Sequence, residues 1–377
     1  MDPNQLIGPM SPMGYPAPYW FLVFFKVLGF TLHMIAMNVW YIGILLCMGL
    51  YWRGSEHGKR LSGRLMNQMP VIISIGVNLG IVPLLFLQVA YYRVFYPATI
   101  LMAWTWFSVF FLLTVAYYGV YYYVIGLRKG DAALVAGRKL AGWVSAVLFI
   151  VIGFIFANAM SLMAHVKGWP DIWFLTSKAG AALGTGHNLG DGTLYPRWLL
   201  MIGLAIMTTS AYITLDTALF ARRESEDYRR WAWRFSFTVY SVGLVWFALA
   251  GSHYVFASWP VELRAAMFSG PRAILTVATA LLPGLPWLLL LLKRKTMTVA
   301  GAGLIGASHL LTLAANAISR QVVQNESIRP YLDVTAEPVT TQWSPLILFL
   351  LLFIAGVGVV IWLLAKAVQA AKAAPAH

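Results

Sequence analysis

The sequence holds a single cysteine, Cys47, in 377 residues. No intrachain disulfide can form, and neither a Cys-ligated zinc site nor a CxxCH attachment for covalent haem c exists in this chain. Any cofactor therefore has to be held by His, Met or carboxylate. Acid is also scarce, with 13 Asp and Glu against 27 Lys and Arg, for a formal net charge of +14. No carboxylate falls at the depth of the histidines inside the apolar runs, although proton-coupled transport and proton-delivering oxygen chemistry normally need one. There is no internal repeat, no Walker-type phosphate loop and no GxGxxG. A cleavable signal is not expected either. The first 18 residues, rich in Pro and Met, carry no Lys or Arg and run into a segment long enough to span a bilayer, so the first helix is expected to stay as an anchor.

The chain is rich instead in apolar length. Hydrophobic residues make up 60%, charged residues 11%, and the mean hydropathy is +0.73, the profile of an all-α, polytopic membrane helix bundle. Nine transmembrane helices are expected, roughly 19–52, 66–92, 97–127, 140–166, 198–221, 231–255, 272–292, 297–319 and 344–365. Residues 1–377 read as a single integral membrane domain, with 1–18 an outer N-terminal segment and 167–197 and 320–343 long outer loops. Loops of that length usually cover a site or meet a partner. The loops after the odd-numbered spans one to seven, together with the C-terminal tail, carry 18 of the 27 basic residues, among them Arg53, Arg64, Arg128, Arg222, Arg294, Lys295 and Lys366. The positive-inside rule then puts the N-terminus outside and the C-terminus in the cytoplasm of a bacterial or archaeal plasma membrane. That placement accounts for the positive charge without nucleic acid.

Ionisable side chains inside such spans mark functional sites by default. His33 lies about 14 residues, roughly 20 Å, inside the first span, and His309 about 11 residues, roughly 16 Å, before the expected end of span eight at Arg320. Lys26 and Arg320 share the helical faces of His33 and His309 respectively and sit closer to the outer surface. This is how a b-type haem could be held, with His33 and His309 as metal ligands on the haem iron and the cations at the propionates. The alternative is that both histidines are polar links between helices. A second tier, His165 ending span four and His253 ending span six, could ligate a second haem or shape a docking surface. Interfacial histidines also occur without cofactors. His57, His187 and His377 read as solvated, Tyr117 to Tyr123 as an interfacial belt, and Asp216 as snorkelling or pairing locally near Arg222 and Arg223.

Several stretches resemble subunit I of the cytochrome bd-type quinol oxidases. Leu32-His33-Met34 is similar to that family's Tyr-His-Phe in the first helix. Gly76-Val-Asn-Leu-Gly-Ile-Val-Pro-Leu-Leu-Phe-Leu-Gln88 is similar to its Gly-Val-x-x-Gly…Glu-Phe-Gln. Phe156-Ala-Asn-Ala-Met160 looks like its Ala-Asn-x-Trp-Met, and Ser319-Arg-Gln321 like its Gly-Arg-Gln. The resemblance, in order and spacing over most of the chain, is to a divergent and reduced homologue, and it implies that His33 ligates a haem. The family's span-three glutamates fall near Trp106 and Thr114, and its glutamate ligand falls on Ala317 or Asn316. Its span-five histidine falls near Leu200 or Met201, and its span-seven methionine near Ile274 or Leu275. The quinol loop is cut to 256–271.

The expectation is then an electron-transfer subunit of a bd oxidase-like respiratory complex, binding one or two b-type haems and not catalytic alone. It would work with other membrane subunits such as a second bd-like chain, with a c-type cytochrome as electron partner. The competing reading is a haem-free structural pseudo-subunit paired with a catalytic paralogue. A transporter is disfavoured, since no broken helix pair and no buried acid pair is evident. Reporter fusions test the orientation: a C-terminal GFP is expected to fluoresce and a C-terminal alkaline phosphatase to stay inactive, and the reverse pattern would invert the topology.

Overall fold

The computed structural model describes residues 1–130, 133–293 and 297–373. Arg294, Lys295 and His377 lie outside the described residues. Among the described residues, nine helices are long and apolar enough to cross a membrane, so the chain is a multi-pass helical bundle that sits in a lipid bilayer.

The bundle is arranged around α1 (Tyr19–Arg53), which packs against α2 (Glu56–Ala90), α5 (Ala136–Ala164), α7 (Leu194–Leu219) and α12 (Val299–Ile328). Two ends can be distinguished: a near end, where α1 begins, and the opposite far end. At the far end α1 stops at Gly54, whose φ of 81° suits glycine, and Ser55 caps α2 by accepting from the Gly58 amide at 3.3 Å. Ser225 caps α8 (Glu226–Ser252) in the same way at 3.1 Å, with Glu226 and Asp227 in its first turn. Thr298 caps α12 at 3.0 Å.

Close approach of α1 and α2 depends on small residues. A Cβ on Gly76 would stand 2.1 Å from the Trp40 ring, and one on Gly29 would stand 2.9 Å from Pro83. Backbones can meet this closely in a membrane only where side chains are missing. α13 (Trp343–Ala373) lies at the edge of the bundle. It touches α1 through Phe349 and Phe353, whose rings lie 4.9 and 5.2 Å from that of Phe25.

Four features differ from the sequence expectation. The third span does not start at 97: α3 (Tyr92–Leu101) is separate from α4 (Ala103–Arg128). The break is stable because residues 184–186 supply partners for the interrupted backbone, the Trp104 amide donating to the Gly184 carbonyl at 3.1 Å and the Gly186 amide to the Leu101 carbonyl at 2.7 Å. Span seven, expected to be continuous, is α10 (Gly270–Leu281) followed by α11 (Gly284–Lys293), interrupted at Pro283, which lacks an amide hydrogen. The Pro283 carbonyl is reached by the Tyr240 hydroxyl at 3.2 Å. α12 runs to Ile328, well past the expected exit at Arg320. The 167–197 stretch is partly ordered as α6 (Trp169–Thr176) and a small hairpin of β1 (Ser177–Lys178) and β2 (Ala181–Ala182).

At the near end the N-terminal segment is tied to the 329–342 connection. The Tyr15 amide donates to the Pro338 carbonyl at 2.7 Å, and Arg93 pairs with Glu337 at 2.8 Å. Burial, reinforced by Glu337, pushes the Tyr15 phenol above its ordinary range. It therefore stays a donor to the Ala90 carbonyl, 2.8 Å away.

At the far end Asp216 pairs across helices, with α2. The Arg64 guanidinium of α2 grips both of its carboxylate oxygens at 3.0–3.1 Å, and the Gln68 amide adds a bond at 2.8 Å. The Asp216 side chain is 0% exposed, so removing its partner strands a buried charge. Arg64→Ala is expected to destabilise the chain by about 3–5 kcal/mol, and adding Asp216→Ala to recover most of the loss, as read by thermal unfolding in detergent.

Candidate functional site

The first candidate residue, His33, is held by α2. Its Nδ1 lies 2.7 Å from the carbonyl of Gly76. A carbonyl only accepts, so Nδ1 carries the hydrogen and Nε2 keeps its lone pair. The ring rests on Gly80, where a Cβ would stand 2.7 Å from its Cε1 and 2.8 Å from its Nδ1. Trp40 meets it edge to face, with ring centres 5.9 Å apart. The imidazole is thus fixed in orientation and tautomer by its neighbours, as metal-ligating histidines usually are.

His33 lines a cavity of about 340 Å³ enclosed by α1, α2, α4, α5, α7 and α12, within the range of small-molecule and cofactor sites. The walls are mainly apolar and aromatic, with Trp40, Phe149, Phe156 and Trp198 prominent, and three methionines, Met37, Met160 and Met201, among them. Three cations also line it: Lys26, Arg197 and Arg320. Lys26 donates to the Gln321 and Gln324 side-chain oxygens at 2.6 and 3.0 Å and lies over the Tyr91 ring at 4.4 Å. Arg320 lies 5.2 Å from the Phe30 ring. Among the described residues no carboxylate pairs with any of the three, although they are near enough to repel one another. Two further polar atoms in the wall, Asn38 Oδ1 and Gln324 Nε2, are buried without a hydrogen-bond partner. A buried positive cluster with orphaned polar atoms beside it is costly unless an anionic group completes it.

The expected convergence of Lys26 and Arg320 with His33 is therefore present in the geometry. The expected facing pair of His33 and His309 is not. Because α12 continues to Ile328, His309 sits at the level of Asn38, about 7 Å deeper than His33. Its Nε2 meets Thr208 Oγ1 at 2.9 Å and its Nδ1 the Tyr240 hydroxyl at 3.2 Å. Thr208 gives its own hydrogen to the Leu204 carbonyl at 2.8 Å and accepts from Asn38 Nδ2 at 2.9 Å. His309 Nε2 is consequently the donor in that contact. Both nitrogens are engaged, His309 lines neither large cavity, and its place is that of a polar link joining α7, α8 and α12.

His165, at the end of α5, lines a second and larger cavity of about 890 Å³ at the near end, which shares Arg197, Arg320 and Gln324 with the first. His253 is exposed at the start of a π-helical turn, His253–Ser258, and lines neither. His187 is exposed, as expected, and meets Thr105 at 2.7 Å, while His57, whose side chain is 33% exposed, meets the exposed Asp227 at 3.1 Å.

Arg197 escaped the sequence reading because it counts as a loop charge until α7 is seen to begin at Leu194. Gly80 was visible only as part of the Gly76–Gln88 resemblance, because a glycine in an apolar run gives no sign of what it faces. Among the described residues no cluster of three or more His, Cys, Asp or Glu could cage a bare metal ion. A tetrapyrrole brings four of its metal's ligands, so one or two protein ligands suffice. The bare Nε2, the apolar walls and the cations without carboxylate partners fit a flat, dianionic group of that kind. No protein-family model matches the chain, and no curated protein matches it either.

The fit of His33 on Gly80 can be checked directly. Gly80→Ala is expected to lower stability by about 1–3 kcal/mol, and to cost much less in a His33→Ala background. Equal costs in both backgrounds would mean that the ring does not rest there.

Proposed function

We propose that this chain is a membrane-embedded electron-transfer subunit that holds a b-type haem in the His33 cavity and works within a larger, bd oxidase-like respiratory complex. The observation that carries the reading is the His33 imidazole, locked by the Gly76 carbonyl so that its bare nitrogen belongs to a residue lining a cavity that is also lined by three cations with no carboxylate partner among the described residues. In this role His33 Nε2 would ligate the iron, and Lys26, Arg197 and Arg320 would hold the propionates. Met37, Met160 and Met201 would offer thioethers as further ligands. The haem would supply one-electron chemistry, beside walls that are mainly apolar.

The positive cluster also stabilises each electron added to a group bound beside it, which raises the reduction potential of that group. Among the described residues no carboxylate lines the His33 cavity, which supports relay of electrons in preference to catalysis by this chain alone. The resemblance to subunit I of the bd-type oxidases supports pairing with a second bd-like chain, and the shortened 256–271 connection favours a c-type cytochrome over quinol as the electron partner.

The purified chain is expected to show Soret and alpha bands of b-type haem after reduction with dithionite, and His33→Ala to lose them from this cavity. A wild-type sample without those bands would leave the haem-free scaffold as the surviving interpretation.

A further inference from the structure

We infer that the larger near-end cavity is a second haem site, with His165 Nε2 as its ligand and Arg197 and Arg320 shared between the two sites.

The amide orientation of Asn188 is forced by its neighbours. The Asp191 carboxylate accepts from the Ser161 hydroxyl at 2.5 Å and lies 3.1 Å from the Asn188 side-chain nitrogen. Ser161, having given away its hydrogen, accepts from that same nitrogen at 2.8 Å. The amide nitrogen of Asn188 therefore faces Ser161 and Asp191, and its oxygen faces His165 Nδ1 at 2.9 Å. His165 Nδ1 must donate, and Nε2 is left with its lone pair, as in His33.

The cradle is repeated too. A Cβ on Gly168 would stand 2.7 Å from His165 Cε1, 2.8 Å from Nδ1 and 3.4 Å from Nε2, the same three contacts that Gly80 leaves for His33. Two imidazoles on different helices thus have the same fixed tautomer, the same glycine platform and a cavity wall each. Asp191, acting through Asn188, positions the second ring as a carboxylate behind a ligand histidine does elsewhere.

Leu200, Phe247, Val255 and Leu263 give the cavity apolar sides, and Asn316 Oδ1 and Trp259 Nε1 are buried in its wall without partners among the described residues. Asp191, Glu262 and Glu326 also line it, Asp191 engaged with Ser161 and Asn188 and Glu326 with Arg272. Arg197 and Arg320 reach it as well as the His33 cavity, so acidic groups from both sides would meet the same two guanidinium groups. That shared contact couples the two sites electrostatically across a short span.

The inference rests on the haem reading of the His33 cavity for the nature of the group, while its residues are separate. The test is haem stoichiometry by the pyridine haemochromogen assay on the full chain. Two haems per chain are expected in the wild type and one in each of His165→Gly and His33→Gly, with added imidazole returning the missing haem to each variant. A wild type with one haem that only His33→Gly removes overturns the second site and leaves the first intact. A His165→Gly chain that keeps two haems, or that imidazole does not restore, overturns it as well. A wild type with no haem ends both readings.

Discussion

The hydrogen bond from His33 to the Gly76 carbonyl is the constraint on which the rest of the site depends. It requires α2 to approach α1 within reach of a backbone carbonyl, and that approach is possible only because Gly76 and Gly80 carry no side chain. In water such a bond would contribute modestly. Inside a bilayer an unfixed imidazole has no solvent to satisfy it, so the same bond decides both the ring's tautomer and which of its nitrogens remains available.

A second consequence of the bilayer is the contrast between the two ends of the bundle. At the far end the buried charges are matched: Asp216 and Glu224 both bind Arg64, and Glu224 also binds Arg60. Near the His33 cavity they are not. Lys26 is held by amide oxygens and an aromatic face, and Arg197 and Arg320 have no carboxylate among the described residues. The chain thus pairs buried carboxylates with guanidinium groups at one end, while near the His33 cavity three cations lie without a carboxylate partner among the described residues, an arrangement that is costly unless an anion completes it. His309 illustrates the opposite outcome. With Thr208 beside its Nε2 and Tyr240 beside its Nδ1, it serves to bind three helices together.

Much of this was legible in the sequence. Nine apolar runs implied the bundle, because a segment that must bury every backbone polar group in lipid has no choice but helix. The rarity of ionisable residues within those runs singled out His33, Lys26, His309 and Arg320, and helical periodicity placed each cation on the face of its histidine. Periodicity failed at the helix ends. Arg320 reads as an exit from the membrane, yet α12 continues to Ile328, and the extra turns carry His309 below His33. Likewise Pro283 is visible in the sequence, but whether a proline bends a helix or ends it depends on what partners the released carbonyls and amides find, and the break at Met102 has no proline to mark it. The 184–186 residues that stabilise the break between α3 and α4 are remote from it in the chain.

By itself, then, the sequence determined that the chain is a helical membrane bundle with one buried histidine near a lysine in its first span, since length, hydropathy and helical pitch are local properties. Only the tertiary structure decided which histidine nitrogens stay free, that Arg197 joins Lys26 and Arg320, and that His165 repeats the arrangement of His33. Those outcomes depend on acceptors and glycines brought in by the fold, and a hydrogen bond across 43 residues in one case and 23 in the other leaves no mark on local pattern.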